Sequence, residues 1–160
     1  MLSQAEQEAL IAPCGMNCAL CAAYQAQALD LKKKGIPWKY CPGCIPRGEN
    51  CLHMRKSCET LGSGRLRFCF ECEAFPCARL KRLDRRYRTQ YGMSMIANLR
   101  MIQAEGMAAF LDAQRKAWTC ERCGEALLTC HRGLCLSCDL EALRKNRRLR
   151  GERMNGNIER

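Results

Sequence analysis

The order of apolar and polar positions near the N-terminus predicts two helices. Ser3 and Glu6 form the S-x-x-E pattern of a capping box, which begins a short helix that Pro13 ends. A second helix follows Cys21, should run for about 15 residues, and should close at Gly35 as its C-cap. Four of its side chains recur at helical spacing and should share one face: Leu20, Tyr24, Ala28 and Leu31.

Further along the chain, the same kind of pattern predicts three more helices. Pro76 suits the first position of a helix that reaches about Gln90, with Gly92 as its C-cap. Ser94 then caps a helix that Gly106 breaks, and a last helix runs toward Trp118. The side chains expected to point inward are Leu80, Leu83, Tyr87 and Tyr91 in the first of these helices, Ile96, Leu99 and Ile102 in the second, and Met107, Phe110 and Leu111 in the third.

Residues 38–72 show no helical period. Their prolines and glycines are scattered among six cysteines, which predicts loops folded around metal with room for one short hairpin. The chain has no valine and only six isoleucines, so an extensive sheet is not expected. The predicted fold class is mainly α, with irregular cysteine-rich metal-binding loops and a small zinc-ribbon-like knuckle at the C-terminal end.

The fifteen cysteines predict that the fold depends on bound metal. Ten lie between Cys14 and Cys77 and five between Cys120 and Cys138, at short spacings that let thiolates converge on one ion. A disulfide scaffold would need an oxidising compartment, and the N-terminal MLSQAEQEAL lacks the basic start and apolar run of a secretion signal. No apolar stretch reaches the roughly 18 residues of a membrane span. We therefore expect a cytoplasmic protein that does not enter membranes.

The most specific motif is the C-x₂-C-x₁₁-C-x₂-C pattern formed by Cys120, Cys123, Cys135 and Cys138. Two Cys-x-x-Cys knuckles on a short connecting hairpin predict a closed tetrahedral zinc site with a structural role. Cys130 and His131 lie in the connecting segment, and either could replace one ligand. The simpler interpretation makes Cys130 a spare buried thiol and His131 a surface residue.

The first block has enough cysteines for two four-ligand sites, which would bring the total to two or three zinc sites. The candidate ligands in this block are Cys14, Cys18, Cys21, Cys41, Cys44, Cys51, Cys58, Cys69, Cys72 and Cys77. The knuckles 41–44 and 69–72 could pair as a second ribbon, or 41 and 44 could join 51 and 58. Spacing alone leaves these groupings open.

The C-x₃-C-x₂-C trio of Cys14, Cys18 and Cys21 needs a fourth ligand, for which Cys77, Cys51 and Cys58 are candidates. Because cysteine-rich runs hold iron–sulfur clusters as readily as zinc, one [4Fe–4S] cluster at this trio is the alternative cofactor. The chain would then be an iron–sulfur protein for electron transfer or redox sensing.

The formal charge of +11 suggests an anionic partner, but it counts every cysteine as neutral and so overstates the positive charge of a metal-bound chain. A four-thiolate zinc site itself carries a charge of about −2. Arg85-Arg86-Tyr87-Arg88 and the basic tail could contact RNA or DNA phosphates, although a solvated helix face and an unstructured tail are the plainer interpretation. The motifs of the common enzyme classes are missing, and His53 and His131 are the only histidines. We therefore favour a non-catalytic binding or regulatory module for an unknown protein or nucleic acid.

These patterns predict one metal-stabilised domain over residues 1–140, followed by the basic tail 141–160. The domain would contain the cysteine block 14–77, the helical segment 78–117 and the zinc-ribbon-like block 118–140.

The order of motifs also resembles a prokaryotic cysteine-rich family, domain of unknown function 3795. The similar pieces are Cys14-Gly-Met-Asn-Cys18-Ala-Leu-Cys21, Cys41-Pro-Gly-Cys44, the pair Cys51 and Cys58, Cys69-Phe-Glu-Cys72-Glu-Ala-Phe-Pro-Cys77, Arg79 to Tyr87, Tyr91-Gly92, Asn98-Leu99, Gly106 and Trp118-Thr-Cys120-Glu-Arg-Cys123. The resemblance covers about residues 12 to 138. It implies a metal-binding protein without a settled activity, in which both cysteine blocks belong to one domain.

Overall fold

The computed structural model describes residues 2–47 and 57–145, and in these ranges the chain is mainly helical. The helices are α1 (Gln4–Ala9), α2 (Ala22–Ala28), α3 (Glu59–Gly62), α4 (Ala78–Tyr91), α5 (Met95–Trp118) and α6 (Leu140–Lys145), with 3₁₀ turns at Cys18–Leu20 and Cys69–Glu71. No strand occurs in the described ranges, where β pairing is limited to two isolated bridges, Ile11 with Asn17 and Thr119 with Leu127. The mainly helical prediction is confirmed, whereas the short hairpin expected in residues 38–72 is absent from their described part.

The capping box at the N-terminus forms as predicted. The Ser3 hydroxyl accepts a hydrogen bond from the Glu6 N–H, and the Glu6 carboxylate accepts one from the Ser3 N–H at 2.7 Å. The hydrogen bond from the Ser3 N–H also lowers the pKa of Glu6.

The predicted second helix is much shorter than expected. α2 ends at Ala28, with Leu29 as its C-cap, because Asp30 adopts a left-handed φ of 47°. The Asp30 N–H then donates to Gln27 O at 3.1 Å and the Leu31 N–H to Ala26 O at 2.9 Å, which is the Schellman pattern. The predicted C-cap at Gly35 is therefore wrong. Ala28, expected on the inner face, is exposed.

Residues 10–20 lie at the centre of the core although they contain little regular structure. The Cys18 N–H donates to Leu10 O and the Ala12 N–H to Met16 O, both at 2.8 Å, so the buried loop satisfies part of its backbone hydrogen bonding internally. Around it packs one apolar cluster, whose other members include Leu61, Phe68, Leu80, Met93, Met95, Leu99, Ile102 and Phe110.

The tip of this loop presses against α5. Gly15 has a φ of +86°, and a Cβ at this position would lie 2.6 Å from the Met95 carbonyl oxygen. The Asn98 side-chain amide donates to Gly15 O at 2.8 Å and fixes the contact. Glycine is required here both by the backbone conformation and by the close approach.

The corner between α4 and α5 forms at the predicted residues. Gly92 closes α4 in the left-handed conformation, and the Ser94 hydroxyl caps α5 by accepting from the Ala97 N–H. Asp84, only 6% exposed, accepts from the Ser94 hydroxyl at 2.7 Å and the Ile96 N–H at 3.0 Å. Burial alone would raise the pKa of Asp84, but these two bonds and Arg88 hold it below its usual value.

Two further predictions about α4 and α5 concern their ends and their break. Cys77 is the N-cap of α4, so Pro76 precedes the cap and does not occupy the first helical position as expected. Gly106, with φ 86° and ψ 170°, interrupts α5 where the sequence predicted a break.

A second apolar cluster joins the segment after α2 to the C-terminal end of the described chain. Its buried members are Ala26, Leu31, Ile36, Trp38, Leu136 and Leu143. The Arg132 guanidinium lies over the Trp38 ring, 4.0 Å from its centroid, and contributes a cation–π contact. Within the described ranges no helix combines the length and apolar character needed to cross a membrane.

Candidate metal centre

Four cysteine sulfurs meet where the sequence predicted its most specific site. The ligand atoms of Cys120, Cys123, Cys135 and Cys138 all lie within 4.8 Å of one another. The Sγ atoms of Cys123 and Cys135 are 3.8 Å apart. A tetrahedral zinc ion with Zn–S bonds of about 2.3 Å requires sulfur–sulfur distances of about 3.8 Å. The four residues therefore fit a metal ion of this kind.

Backbone turns aim each pair of sulfurs at the same point. The first knuckle closes when the Gly124 N–H donates to Cys120 O at 2.7 Å, with Gly124 in the left-handed conformation at φ 69°. In the second knuckle the Cys138 N–H donates to the Cys135 sulfur at 3.4 Å. Instead of the expected connecting hairpin, a single bridge between Thr119 and Leu127 flanks the first knuckle.

The electrostatics of this quartet favour thiolates in its first knuckle. The N–H of Cys123, helped by that of Arg122, lowers the pKa of Cys120 to about 6. The N–H groups of Ala126 and Glu125 lower the pKa of Cys123 in the same way. Hydrogen bonding to Cys135 and burial raise the pKa of Cys138 to about 12. A bound cation would reverse this last effect, because it stabilises all four thiolates at once.

One carboxylate connects the two knuckles from outside the sulfur set. Asp139 accepts a hydrogen bond from the Cys135 N–H at 2.9 Å through Oδ2 and from the Arg122 guanidinium at 2.7 Å through Oδ1. Leu136, between the two ligands of the second knuckle, is buried in the second apolar cluster. The quartet is therefore held in place by a hydrogen-bonded clasp and by apolar packing.

The first cysteine block gathers into two neighbourhoods. In one of them, Cys44 lies against Cys18, because the Cys44 N–H donates to the Cys18 sulfur at 3.3 Å. The Cys41 N–H donates to Ala23 O at 3.2 Å, beside Cys21. Burial raises the pKa of Cys21, and the neighbouring Cys41 thiol adds to the effect. The structure thus brings the knuckle 41–44 to the pair 18 and 21.

In the other neighbourhood, Cys58, Cys69, Cys72 and Cys77 line a single cavity. Cys14 lies near this group, because the Cys69 N–H donates to the carbonyl oxygen of the preceding residue, Pro13, at 2.9 Å. The remaining candidate ligand, Cys51, lies outside the described residues, so its predicted role stays a prediction.

The model of the family DUF3795, described as a protein of unknown function, matches residues 10–82. These matched residues are the DUF3795 segment. This confirms the resemblance for the first cysteine block and the start of α4, while the similar pieces beyond residue 82 lie outside the match. No curated protein and no solved structure matches the chain.

The connecting segment of the C-terminal quartet folds back onto the DUF3795 segment. The Cys130 N–H donates to Leu20 O at 2.8 Å, and the Cys130 sulfur contacts His131 Nδ1 at 3.3 Å. His131 Nε2 and the Tyr87 hydroxyl are 3.1 Å apart. Cys130 is buried, as the simpler interpretation expected. His131 is partly buried and does not lie free at the surface, so that part of the interpretation is wrong.

Sequence reasoning missed several residues that support these sites. Asp139 and Arg122 connect the knuckles, and Asp84 joins α4 to α5 at the edge of the DUF3795 segment. The only sequence signal for Asp139 was a carboxylate directly after the last ligand. Asp84 gave a signal too, since it is the one acidic residue within α4.

Proposed function

We propose that this chain is a non-catalytic, metal-stabilised binding module in which Cys120, Cys123, Cys135 and Cys138 hold a structural zinc ion. The observation that carries the proposal is the convergence of the four sulfurs within 4.8 Å, with one pair at 3.8 Å. Four thiolate ligands complete a tetrahedral shell and leave no position for a substrate, which favours a structural role over a catalytic one.

The arrangement is zinc-ribbon-like in its chemistry. Two knuckles supply the ligands, backbone N–H groups point at their sulfurs, and Asp139 orients the second knuckle through Cys135. Such outer hydrogen bonds position metal ligands and are part of a working site. Thiolate-only donors select zinc or iron–sulfur chemistry over magnesium or calcium.

The test is metal analysis of the whole protein, purified anaerobically, together with its Cys120→Ala and Cys138→Ala variants. We expect each variant to lose one equivalent of zinc relative to the wild type, because three thiolates hold the ion much less tightly. Cys130→Ala is the matched control, since it removes a buried thiol from the same segment but outside the quartet. Unchanged zinc content in both quartet variants would overturn the proposal.

Chelation gives a second readout. Because metal binding in such sites contributes folding free energy, removing zinc should abolish the cooperative thermal transition of the C-terminal block. The same preparation addresses the alternative, an iron–sulfur protein with a cluster near Cys14, Cys18 and Cys21. A brown protein with bound sulfide would support that alternative, and a colourless protein containing only zinc would exclude it.

Nucleic-acid binding is the second candidate function, and the surface of α4 supports it. Five cationic side chains on α4 are exposed: Lys81, Arg82, Arg85, Arg86 and Arg88. The one carboxylate of the helix, Asp84, is buried and hydrogen-bonded to Ser94 and Ile96. The exposed charged side chains of α4 are therefore all positive, which suits phosphate contacts.

Fluorescence anisotropy with a labelled RNA or DNA oligonucleotide tests this second function. Affinity should fall steeply with salt, and the double change Arg82→Glu with Arg85→Glu should weaken binding at least tenfold. The pair Lys32→Glu with Lys33→Glu reverses the same charge outside α4 and serves as the control. Equal losses in the two variants would mean that net charge, and not the α4 surface, accounts for any binding.

A further inference from the structure

A cavity of about 30 Å³ lies between α3, the 3₁₀ turn at Cys69–Glu71 and the start of α4. Four of the residues that line the cavity are cysteines: Cys58, Cys69, Cys72 and Cys77. The rest of the lining is mainly apolar and includes Leu61, Leu66, Phe75 and Leu80. Four thiols around one small apolar cavity form a set of donors with almost no competing polar group.

The backbone holds three of these cysteines in a compact turn. The Cys72 N–H donates to Cys69 O at 3.2 Å, and the Phe75 N–H donates to Cys72 O at 2.9 Å. The chain then reaches Cys77, the N-cap of α4. The fourth, Cys58, is the N-cap of α3 and lines the same cavity. Folding thus brings the C-x₂-C-x₄-C segment and Cys58 to one cavity.

Cys69 is buried, and the thiols of Cys14, Cys58, Cys77 and Cys72 lie close enough to interact with it electrostatically. Without a cation, four thiolates here would repel one another in an apolar setting. A bound metal cation removes that penalty, because its charge stabilises every coordinating thiolate.

We propose that Cys58, Cys69, Cys72 and Cys77 form a second metal centre, separate from the C-terminal quartet, that binds a thiophilic metal as zinc or as an iron–sulfur cluster. All four donors are thiols, and thiolate ligands select these two occupants. The alternative is that the four cysteines are ordinary thiols at the core that bind no metal. Their substitution would then leave the metal content unchanged.

The spacing of the sulfurs bears on which occupant is present. Within the described residues, the C-terminal quartet is the group whose ligand atoms all lie within 4.8 Å of one another. Any three of the cavity sulfurs therefore include a pair separated by more than that. A single zinc ion, with sulfur–sulfur distances of about 3.8 Å, would have to draw them together. A cluster of several iron atoms would span a wider separation.

The decisive experiment measures zinc, iron and acid-labile sulfide in the whole protein purified anaerobically. The variants are Cys72→Ala and Cys77→Ala, chosen because both side chains are partly exposed and their truncation disturbs the core least. Cys130→Ala is the matched control. Both cavity variants should lose either one equivalent of zinc or the iron and sulfide together, and the control should keep the wild-type content.

The C-terminal site provides an internal reference, which keeps the two proposals distinguishable. A cavity variant should retain the zinc equivalent that Cys120→Ala loses, and the double variant should lose both. Unchanged metal in Cys72→Ala and Cys77→Ala would overturn the second centre and leave the first intact. If the cavity variants and Cys120→Ala remove the same equivalent, the cavity is not a separate centre and the inference is again overturned.

Alkylation of the wild-type protein supplies a test that needs no variant to fold. Metal-bound thiolates react slowly, so Cys72 and Cys77 should be protected from N-ethylmaleimide in the protein as purified and become modified once a chelator removes the metal. Peptide mass spectrometry reports each cysteine separately. Equal modification of Cys72 and Cys77 before and after chelation, while Cys123 and Cys138 change, would refute the second centre.

Discussion

The C-terminal quartet and the cavity cysteines of the first block both concentrate four thiols, but they do so in different settings. In the quartet, Cys123 and Cys138 are exposed, and a local backbone turn holds each pair of ligands. In the cavity, Cys69 is buried within the main apolar cluster, and Cys58 comes from a separate element. The quartet is thus supported by local turns, whereas the cavity group depends on the core around it.

The difference is also electrostatic. Backbone N–H groups lower the pKa of Cys120 to about 6, so part of the quartet is thiolate near neutral pH before any metal binds. Burial raises the pKa of Cys69 to about 12, so the neutral form of this thiol is favoured unless a cation binds. Local hydrogen bonds therefore favour thiolates at the quartet. At Cys69, a bound cation is needed to offset the effect of burial on the thiolate.

The largest expected effect is the loss of stability when the core is disrupted, and it tests whether the quartet keeps its zinc without an intact core. Phe110 is fully buried in the cluster that contains Cys14, Cys18 and Cys69. Phe110→Ala should lower the free energy of unfolding by about 3–5 kcal/mol, as truncation of a buried aromatic residue does. Urea unfolding followed by circular dichroism measures the loss, with the exposed Leu29→Ala as control. Zinc at the C-terminal quartet should remain bound, and its loss in native buffer would show that the quartet also depends on the core.

The next effect concerns His131, which lies between the two regions. Burial lowers the pKa of His131 to about 4, with the charges of Arg132 and Arg86 adding to the shift, and its ring contacts Tyr87, Tyr91 and Cys130. The unfolded chain protonates a histidine below about pH 6.5. The neutral imidazole therefore stabilises the fold fully above that pH, and about 2–3 kcal/mol is lost as the pH falls toward 4.

His131→Gln isolates this contribution, because thiolate protonation and metal release at low pH affect the wild type and the variant alike. Chemical unfolding at pH 7.5 and pH 5 should give a smaller difference for the variant than for the wild type. Identical pH dependence in the two proteins would show that the imidazole remains accessible to protons in the folded state.

A smaller effect should be confined to the quartet. Asp139→Ala removes the carboxylate that accepts from the Cys135 N–H and from Arg122. Zinc affinity should fall by about 10–100-fold, as is typical when a hydrogen-bond partner of a metal ligand is lost. Competition with a chromophoric chelator measures the affinity. Asp112→Ala, which removes an exposed carboxylate from α5, is the control, and equal losses in both variants would contradict a specific clasp.

The smallest effect should come from the surface ion pair of Lys116 and Asp112, whose nitrogen–oxygen distance is 2.7 Å. Both side chains are largely exposed, so solvent screens the pair. Lys116→Ala should leave the thermal midpoint and the metal content unchanged within error. A clear loss of either would mean that α5 transmits surface changes to a metal centre.

Signals that lie within a few residues of chain were sufficient for much of this structure. The corner at Gly92 and Ser94, the break at Gly106 and the quartet of Cys120, Cys123, Cys135 and Cys138 are all encoded locally, and all were predicted. Features that depend on distant partners were not. Asp30 ends α2 in a left-handed conformation that its residue type permits but does not require.

The grouping of the first block shows the same limit. Spacing allowed the 41–44 knuckle to pair with the knuckle 69–72, yet its described contact is with Cys18, 26 positions earlier in the chain. The position of Cys58 beside Cys69 depends on how the intervening chain folds, which no short motif specifies. The quartet was predictable because its ligands form two Cys-x-x-Cys knuckles, whereas the cavity group contains one such knuckle and two cysteines whose spacing matches no short motif.

The contact between Gly15 and α5 has a consequence for the order in which the protein is made. The Asn98 amide that fixes Gly15 lies 83 positions further along the chain. During synthesis, the loop that carries Cys14 and Cys18 must therefore wait for residues near Met95 to emerge before it can take its final position. Its thiols are exposed for that interval to any metal or oxidant in the cell. The C-terminal quartet needs only the last short stretch of described chain, so it can capture an ion almost as soon as it leaves the ribosome.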